Sequence, residues 1–294
     1  AMAVEKAKET DAELVMASDP DADRVGAAVK NNEGEWVLLN GNQTALMFVY
    51  YLITRWKELG KINGKEYIVK TIVTTETIKT IAERNGVEMY DVYTGFKWIA
   101  NVMRENEGKK NYIGGGEESY GFLCEDFVRD KDAVSACVIL AEIAAWAKDQ
   151  GLSLYQLLQK IYVEYGFSKE KGISVVKKGK SGAEEIEAMM KKFRENPLTE
   201  IAGSKVTYFY DYSTLKGKDY AENETVTLDM PTTSNVLQYF TEDNTKVSIR
   251  PSGTEPKIKF YCEVHSKVKS IDELPEAEKA AEEKINKIKA SLGI

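Results

Sequence analysis

What most limits the folds open to this chain is a regular exchange of two hydrophobic periods between residues 41 and 166. Leu46, Val49, Tyr50 and Ile53 recur at helical spacing up to Gly60. Tyr67 to Val73 is then apolar and β-branched, as a buried strand requires. Ile78, Ile81 and Ala82 mark a second helix, with Thr75 placed to cap it and Asn85-Gly86 to end it. Val87 to Val92 reads as another strand, Ile99, Val102 and Met103 as a third helix, and Tyr112-Ile113 as a short strand. An irregular loop follows, then helices around Ala133 to Lys148 and Ser153 to Tyr165. Strands separated by helices of this length predict βαβ crossovers and a three-layer α/β domain.

The flanks follow other rules. Residues 4 to 40 carry an apolar strand at Leu14-Val15-Met16-Ala17 and a hairpin, Val25 to Val29 with Trp36 to Leu39, turning through Asn31-Asn32-Glu33-Gly34. They are too few for a domain, so residues 1–40 read as the remnant of a preceding one. Gly166 to Gly182, rich in lysine and glycine, reads as a linker. Beyond it come a helix with Ile186, Met189 and Phe193, ended by Asn196-Pro197, and strands at 205–210, 225–228, 236–240, 246–249 and 257–264. A last helix has a clean apolar stripe of Leu274, Ala277, Ala281, Ile285, Ile288 and Leu292. Helix, strands, helix is the order of a small α+β domain. The expected divisions are 1–40, 41–166 and 167–294.

Composition excludes several classes. The formal net charge is −7, which disfavours nucleic acid and leaves anionic ligands to local basic pockets. No run approaches a membrane span, so a cytoplasmic protein with no membrane partner is expected. Cys124, Cys137 and Cys262 lack metal-type spacing and lie in or beside apolar runs, as reduced core residues do. His265 is the only histidine, so a His-based triad is not expected. Ala1 precedes Met2, which reads as a piece cut from a larger protein.

Three loops carry chemistry. Ser18-Asp19-Pro20-Asp21-Ala22-Asp23-Arg24 places three carboxylates at alternate positions directly after a strand. As a calcium loop of the EF-hand type starting at Asp19 it fails, because Arg24 and Lys30 stand where glycine and glutamate are needed. Two readings remain, a solvated acidic turn or an oxygen-ligand site for a hard cation such as Mg²⁺. Gly114-Gly115-Gly116-Glu117-Glu118-Ser119-Tyr120-Gly121 combines glycines that permit close backbone approach with Glu117 and Ser119, which suit adjacent sugar hydroxyls. The alternative is a flexible acidic turn. Arg250-Pro251-Ser252-Gly253-Thr254-Glu255-Pro256-Lys257 gathers a guanidinium, an ammonium and two hydroxyls, the donor set a phosphate dianion asks for. Weaker signals are Thr94-Gly95-Phe96-Lys97, whose lysine starts a helix, and Arg129-Asp130-Lys131-Asp132, where Asp130 is placed to cap.

In content and order these loops resemble those of the α-D-phosphohexomutase superfamily, over nearly the whole chain. Asp-Pro-Asp-Ala-Asp-Arg is similar to its Mg²⁺ loop, Gly-Glu-Glu-Ser to its sugar loop, and Arg-Pro-Ser-Gly-Thr-Glu-Pro-Lys to its phosphate loop. Glu-Glu-Ser-Tyr-Gly and Arg-Asp-Lys-Asp-Ala look most like the bacterial α-phosphoglucomutase branch. Phosphomannomutase-type members carry histidine where Gly121 stands.

The resemblance implies an α/β fold: a three-layer α/β/α domain 3, then an α+β domain 4 like the TATA-binding protein, preceded by a remnant of domain 2. It implies exchange of glucose 1-phosphate and glucose 6-phosphate through a phosphoserine, with glucose 1,6-bisphosphate as intermediate and activator. It places Mg²⁺ on Asp19, Asp21 and Asp23. Arg24 and Lys97 would act on the transferring group. The sugar would lie on Gly116, Glu117 and Ser119, and the unreacting phosphate on Arg250, Ser252, Gly253, Thr254 and Lys257. No stretch resembles the family's serine loop, so this chain alone is expected to be inactive and to need the missing N-terminal domains of the same protein. A phosphopentomutase, a phosphomannomutase and a non-catalytic sugar-phosphate binder are the competing readings.

Overall fold

The computed structural model describes residues 2–177, 179–253 and 255–294, and of Lys180 the backbone alone. The chain divides into two compact units, Ala1–Gly166 and Phe167–Ile294. The first opens with α1 (Met2–Glu9) and an antiparallel sheet in the order β1 (Leu14–Ser18), β2 (Val25–Lys30), β3 (Trp36–Leu39). Then come α2 (Gly41–Glu58), β4 (Glu66–Thr71), α3 (Thr77–Arg84), β5 (Glu88–Val92) and α4 (Phe96–Asn106). The unit ends with β6 (Asn111–Gly116), β7 (Phe122–Cys124), α5 (Ala133–Asp149) and α6 (Leu154–Tyr165).

The second sheet runs β5-β4-β6-β7, parallel except for β7. Its central strand, β4, is buried along its whole length. Two of its side chains are ionic, and each is compensated, as burial demands. Glu66 takes the amides of Asn63, Gly64 and Lys65 at 2.7, 2.9 and 3.1 Å. Lys70 lies 2.6 Å from the Asp91 carboxylate and 2.9 Å from that of Glu76. One face packs Tyr67, Val69, Tyr112 and Leu123 against Phe96, Ile99 and Met103 of α4. On the other, Phe48 of α2 stacks on Phe122 with centroids 4.6 Å apart. Helices on both faces make three layers. Strand order reverses at β4, which leaves a crevice at the carboxyl ends of β4 and β6, where open parallel sheets bind ligands.

The second unit holds β8 (Phe167–Val176), α7 (Gly179–Glu195), β9 (Glu200–Ile201), β10 (Ser204–Asp211), β11 (Lys216–Asp219) and β12 (Glu224–Thr227). It closes with β13 (Leu237–Thr241), β14 (Lys246–Pro251), β15 (Lys257–Ser266), a 3₁₀ turn at Ile271–Glu273 and α8 (Leu274–Leu292). The sheet order is β12-β11-β10-β13-β14-β15-β8, with β9 on β10. Phe193 of α7 meets Phe260 edge-on, and Ala281, Ile285 and Ile288 of α8 are buried. Lys169 of β8, on the face that carries Phe260, pairs with Glu278 of α8 at 2.9 Å.

Some expectations are corrected. Gly166 to Gly182 is not a linker: most of it is β8, paired with β15 over ten residues, from Phe167↔Ser266 to Val176↔Lys257. The strand lies at the sheet edge, where lysines and glutamates are tolerated and hide the apolar alternation. The residue that caps α5 is Asp132, which accepts the Ser135 amide at 2.8 Å, and not Asp130. Glu76 occupies the cap position of α3, while the Thr75 hydroxyl reaches the Thr77 amide at 3.4 Å. The strands β7, β9 and β11 are too short to stand out in sequence.

On the sheet face opposite α8, Lys246, Glu263 and Glu170 lie in register on β14, β15 and β8. The Glu263 carboxylate sits 2.9 Å from Lys246 and 2.8 Å from His265, with Lys246 and Glu263 almost fully buried. Burial alone would lower the His265 pKa, but the carboxylates of Glu263 and Glu170 outweigh it and hold it above 6.5. A raised histidine pKa contributes stability that is full below about pH 6.5 and fades as pH climbs through the folded value. We therefore expect the denaturant midpoint of Phe167–Ile294 to fall from about pH 6 to 9 and His265→Gln to flatten that slope. Equilibrium unfolding at a series of pH values measures both.

Candidate functional site

The acidic loop closes the β1–β2 hairpin just past the pair Ser18↔Val25. Its turn is made by the Ala22 amide on the Asp19 carbonyl at 3.0 Å, with Ala22 at a positive φ of 55°. Asp19 Oδ1 accepts the amides of Asp23 and Arg24, both at 3.2 Å. Desolvation pushes the Asp19 pKa up, but these two amides and the Arg24 charge outweigh it and hold the carboxyl below its ordinary value. Asp23 Oδ2 turns to Lys131 Nζ at 2.8 Å. Its Oδ1 is buried and accepts no hydrogen bond, with Arg24 Nε 3.8 Å away. Asp21 is exposed. Among the described residues no group of three or more His, Cys, Asp or Glu is placed to hold a metal ion.

The glycine-glutamate loop lies at the carboxyl end of β6, in the crevice where strand order reverses. Its glycines serve the domain's own packing. Gly114, Gly115 and Gly116 are buried strand residues. A Cβ on Gly115 would stand 2.3 Å from the Val69 carbonyl oxygen, and one on Gly116 2.6 Å from that of Gly121. Glu117 is buried, and its Oε1 accepts the Gly95 amide at 2.7 Å, which ties the loop to the start of α4. Ser119 is half-buried two residues on. Lys97, the second residue of α4, is exposed and lies over the Trp98 ring at 5.0 Å.

The acidic and glycine-glutamate loops touch. Arg24 and Gly121 form an isolated antiparallel bridge, and the Val25 amide donates to the Tyr120 carbonyl at 3.2 Å. Lys131 runs over this junction. A Cβ on Gly121 would be 2.5 Å from Lys131 Cδ, and the ammonium beyond it meets Asp23. Burial disfavours the Lys131 charge, but Asp23 and Asp130 outweigh that and raise its pKa. Lys131 is the site residue that sequence reasoning undervalued. The available signal was the cap: with Asp132 at the start of α5, Lys131 must sit where the chain passes the acidic loop, and the Ala133 amide indeed donates to Ala22 O at 3.0 Å.

The arginine loop belongs to the second unit. Arg250 ends β14 beside Lys259 of β15, and the Ser252 amide donates to the Lys257 carbonyl at 2.8 Å. Alternation puts Arg250, Ser252, Lys257 and Lys259 on one face, so Lys259 joins the set. Lys257 Nζ pairs with Glu255 at 2.7 Å, which lowers the Glu255 pKa. The Ser252 hydroxyl accepts the Glu255 amide at 3.3 Å, and Gly253 is exposed. Thr254 lies outside the described residues. Behind the loop an open groove of about 530 Å³ runs between Pro251, Pro256 and the α7 residues Ile186, Met190 and Arg194.

Comparison with known proteins places the chain in a family. Residues 40–165 match the model for phosphoglucomutase/phosphomannomutase, alpha/beta/alpha domain III, and residues 174–281 the model for the C-terminal domain of the same family. The chain belongs to the phosphoglucomutase/phosphomannomutase family. More particularly, it is 38% identical over 259 residues to a phosphoglucomutase of Staphylococcus aureus, covering 88% of this chain and 46% of the relative. To one of Staphylococcus haemolyticus it is 33% identical over 264 residues, covering 90% and 47%. The chain thus spans about half the length of the curated relatives it matches. Among solved structures it shares its fold with a family protein from Burkholderia thailandensis, at a TM-score of 0.60, 18% identity and coverage of 99% and 49%. Parafusin from Paramecium gives a TM-score of 0.58 at 17% identity, with 94% and 45% covered.

Because Gly115 fits only without a Cβ, Gly115→Ala must push apart β4 and β6. Urea unfolding is expected to show a loss of roughly 1–3 kcal/mol, the usual cost of overpacking. An unchanged midpoint would mean that the strands separate freely and the glycine answers to a ligand instead.

Proposed function

We propose that this chain supplies the metal-, sugar- and phosphate-binding loops of a phosphoglucomutase that interconverts glucose 1-phosphate and glucose 6-phosphate. The observation that carries the reading is the junction of the acidic and glycine-glutamate loops, pinned by the Arg24–Gly121 bridge and the Lys131–Asp23 ion pair. It brings hard oxygen ligands, cations and sugar-directed groups together in the crevice of a parallel sheet. Residues 1–40 are then the end of a preceding domain, with 41–166 and 167–294 as the sugar- and phosphate-binding domains.

In this reading Glu117 and Ser119 accept and donate to two sugar hydroxyls, with Gly116 holding them at the strand end. Glu117 is pre-oriented by the Gly95 amide, so little ordering remains to be done on binding. Arg250, Ser252, Gly253, Thr254 and Lys257 hold the phosphate that is not reacting, Arg250 as a planar fork and Lys257 as a point charge. Lys257 must then share its charge between Glu255 and the ligand. Arg24 and Lys97 face the developing charge of the transferring group, Lys97 as proton donor.

Mg²⁺ would be held by Asp19, Asp21 and Asp23, and the donor set fits: all are hard oxygens, and Asp23 Oδ1 is a buried acceptor without a hydrogen bond. When bound, it would offset negative charge on the transferring phosphoryl group. Asp23 is at present neutralised by Lys131, so a cation there competes with that ammonium. The activity needs a phosphoserine from the longer protein and glucose 1,6-bisphosphate as the intermediate that turns over in place.

Two measurements test the reading. Calorimetry should detect glucose 1-phosphate binding to the purified chain and its loss in Arg250→Ala; equal binding by the variant would move the phosphate site elsewhere. In a coupled assay the chain alone should show no turnover, and turnover would mean that it carries a nucleophile of its own.

A further inference from the structure

Glu118 lies between the two residues assigned to the sugar, and nothing so far gives it a role. Its main chain is pressed by α2: a Cβ on Gly41, the first residue of that helix, would stand 2.0 Å from the Glu118 carbonyl oxygen and 2.7 Å from the Tyr120 nitrogen. No side chain can occupy that space, and the obstacle is backbone. Helix α2 can come this close because its start is fixed by reciprocal bonds. Asn40 accepts the Gln43 amide at 2.8 Å, and Gln43 accepts the Asn40 amide at 3.0 Å. The side chain of Glu118 is held on another side. Its Oε2 accepts the Thr71 hydroxyl at 3.3 Å, at the end of β4, and Thr71 is 2.8 Å from the Thr74 hydroxyl. Both threonines are fully buried. Between these holds Tyr120 keeps a φ of 72°, a conformation that a non-glycine residue retains only when its surroundings impose it.

We infer that Glu118 is a positioning residue. With Gly41 beneath its main chain and Thr71 on its carboxylate, it fixes the spacing of Glu117 and Ser119 before any ligand arrives. The functional half of this inference rests on the sugar-binding reading proposed above, whereas the clamp itself does not. A carboxylate turned into the protein leaves the ligand to its two neighbours. It also explains an acidic pair in which Glu117 and Glu118 bond to different partners: the Gly95 amide at the start of α4 and the Thr71 hydroxyl at the end of β4.

The test uses the full chain and the variants Glu118→Ala, Glu118→Gln, Thr71→Val and Gly41→Ala, with thermal unfolding to identify any that do not fold. Amide hydrogen exchange in the free protein reads the clamp through the Glu117 amide, bonded to Gly121, and the Val25 amide, bonded to Tyr120. Glu118→Ala and Thr71→Val should each cost about tenfold in protection there, whereas Glu118→Gln, which still accepts from Thr71, should stay within about twofold. Glucose 1-phosphate affinity should follow the same order, with a loss of roughly tenfold or more in Glu118→Ala. Unchanged protection in Glu118→Ala and Thr71→Val would overturn the clamp, even if Gly41→Ala fails to fold. A Glu118→Gln variant that keeps its protection but loses affinity would overturn the positioning role, because the charge would then be meeting the ligand. If the unaltered chain binds no sugar phosphate, the sugar-binding reading fails, and the exchange data still decide the clamp.

Discussion

The first unit depends on how closely its backbone can approach itself at the carboxyl end of the β4–β6 pair. Gly115 lies against Val69, Gly116 against Gly121 and Gly41 against Glu118, each too close to backbone for a Cβ. Three contacts of this kind within one crevice leave the loop at 117–121 almost no freedom. Rigidity here is a matter of excluded volume more than of hydrogen bonds, since backbone cannot yield as a side chain can. The consequence is a loop whose polar groups are presented without the entropy cost of ordering them.

Charge is arranged around that constraint. Asp23 sits across from Lys131, Asp19 takes two amides, and Glu117 takes another, so every buried or half-buried carboxylate near the crevice has at least one donor. Lys131 reaches Asp23 from a fixed start, the Asp132 cap of α5. The second unit follows another logic. There Lys246, Glu263 and His265 satisfy one another inside the sheet, while the Arg250–Lys257 edge keeps its cations half-exposed.

Much of this was legible in the residues. Helical spacing located every long helix, and β-branched runs located β4, β5 and most of the antiparallel sheet, because buried faces impose the period of the element on the sequence. It failed where burial is one-sided or brief. β8 is an edge strand with lysines outward, and β7, β9 and β11 are too short to show a period. The three loops stood out because donors, acceptors and glycines are dense there. The reason for the glycines did not, since sequence shows that a Cβ is missing but not what would collide with it.

The sequence by itself determined the class of fold, the family and the identity of the groups available for chemistry: three aspartates, a glutamate and a serine, and an arginine with lysines. Those follow from composition and order along the chain, which folding cannot alter. Tertiary structure alone decided their partners. That Lys131 neutralises Asp23, that Glu118 turns to Thr71, and that Arg24 bridges Gly121 are contacts between residues about 50 to 110 positions apart. No local periodicity encodes them. The Glu118–Thr71 contact arises because the crossovers of a parallel sheet bring the carboxyl ends of successive strands to one edge, and the other two arise where the β1–β2 hairpin of the antiparallel sheet packs on that edge.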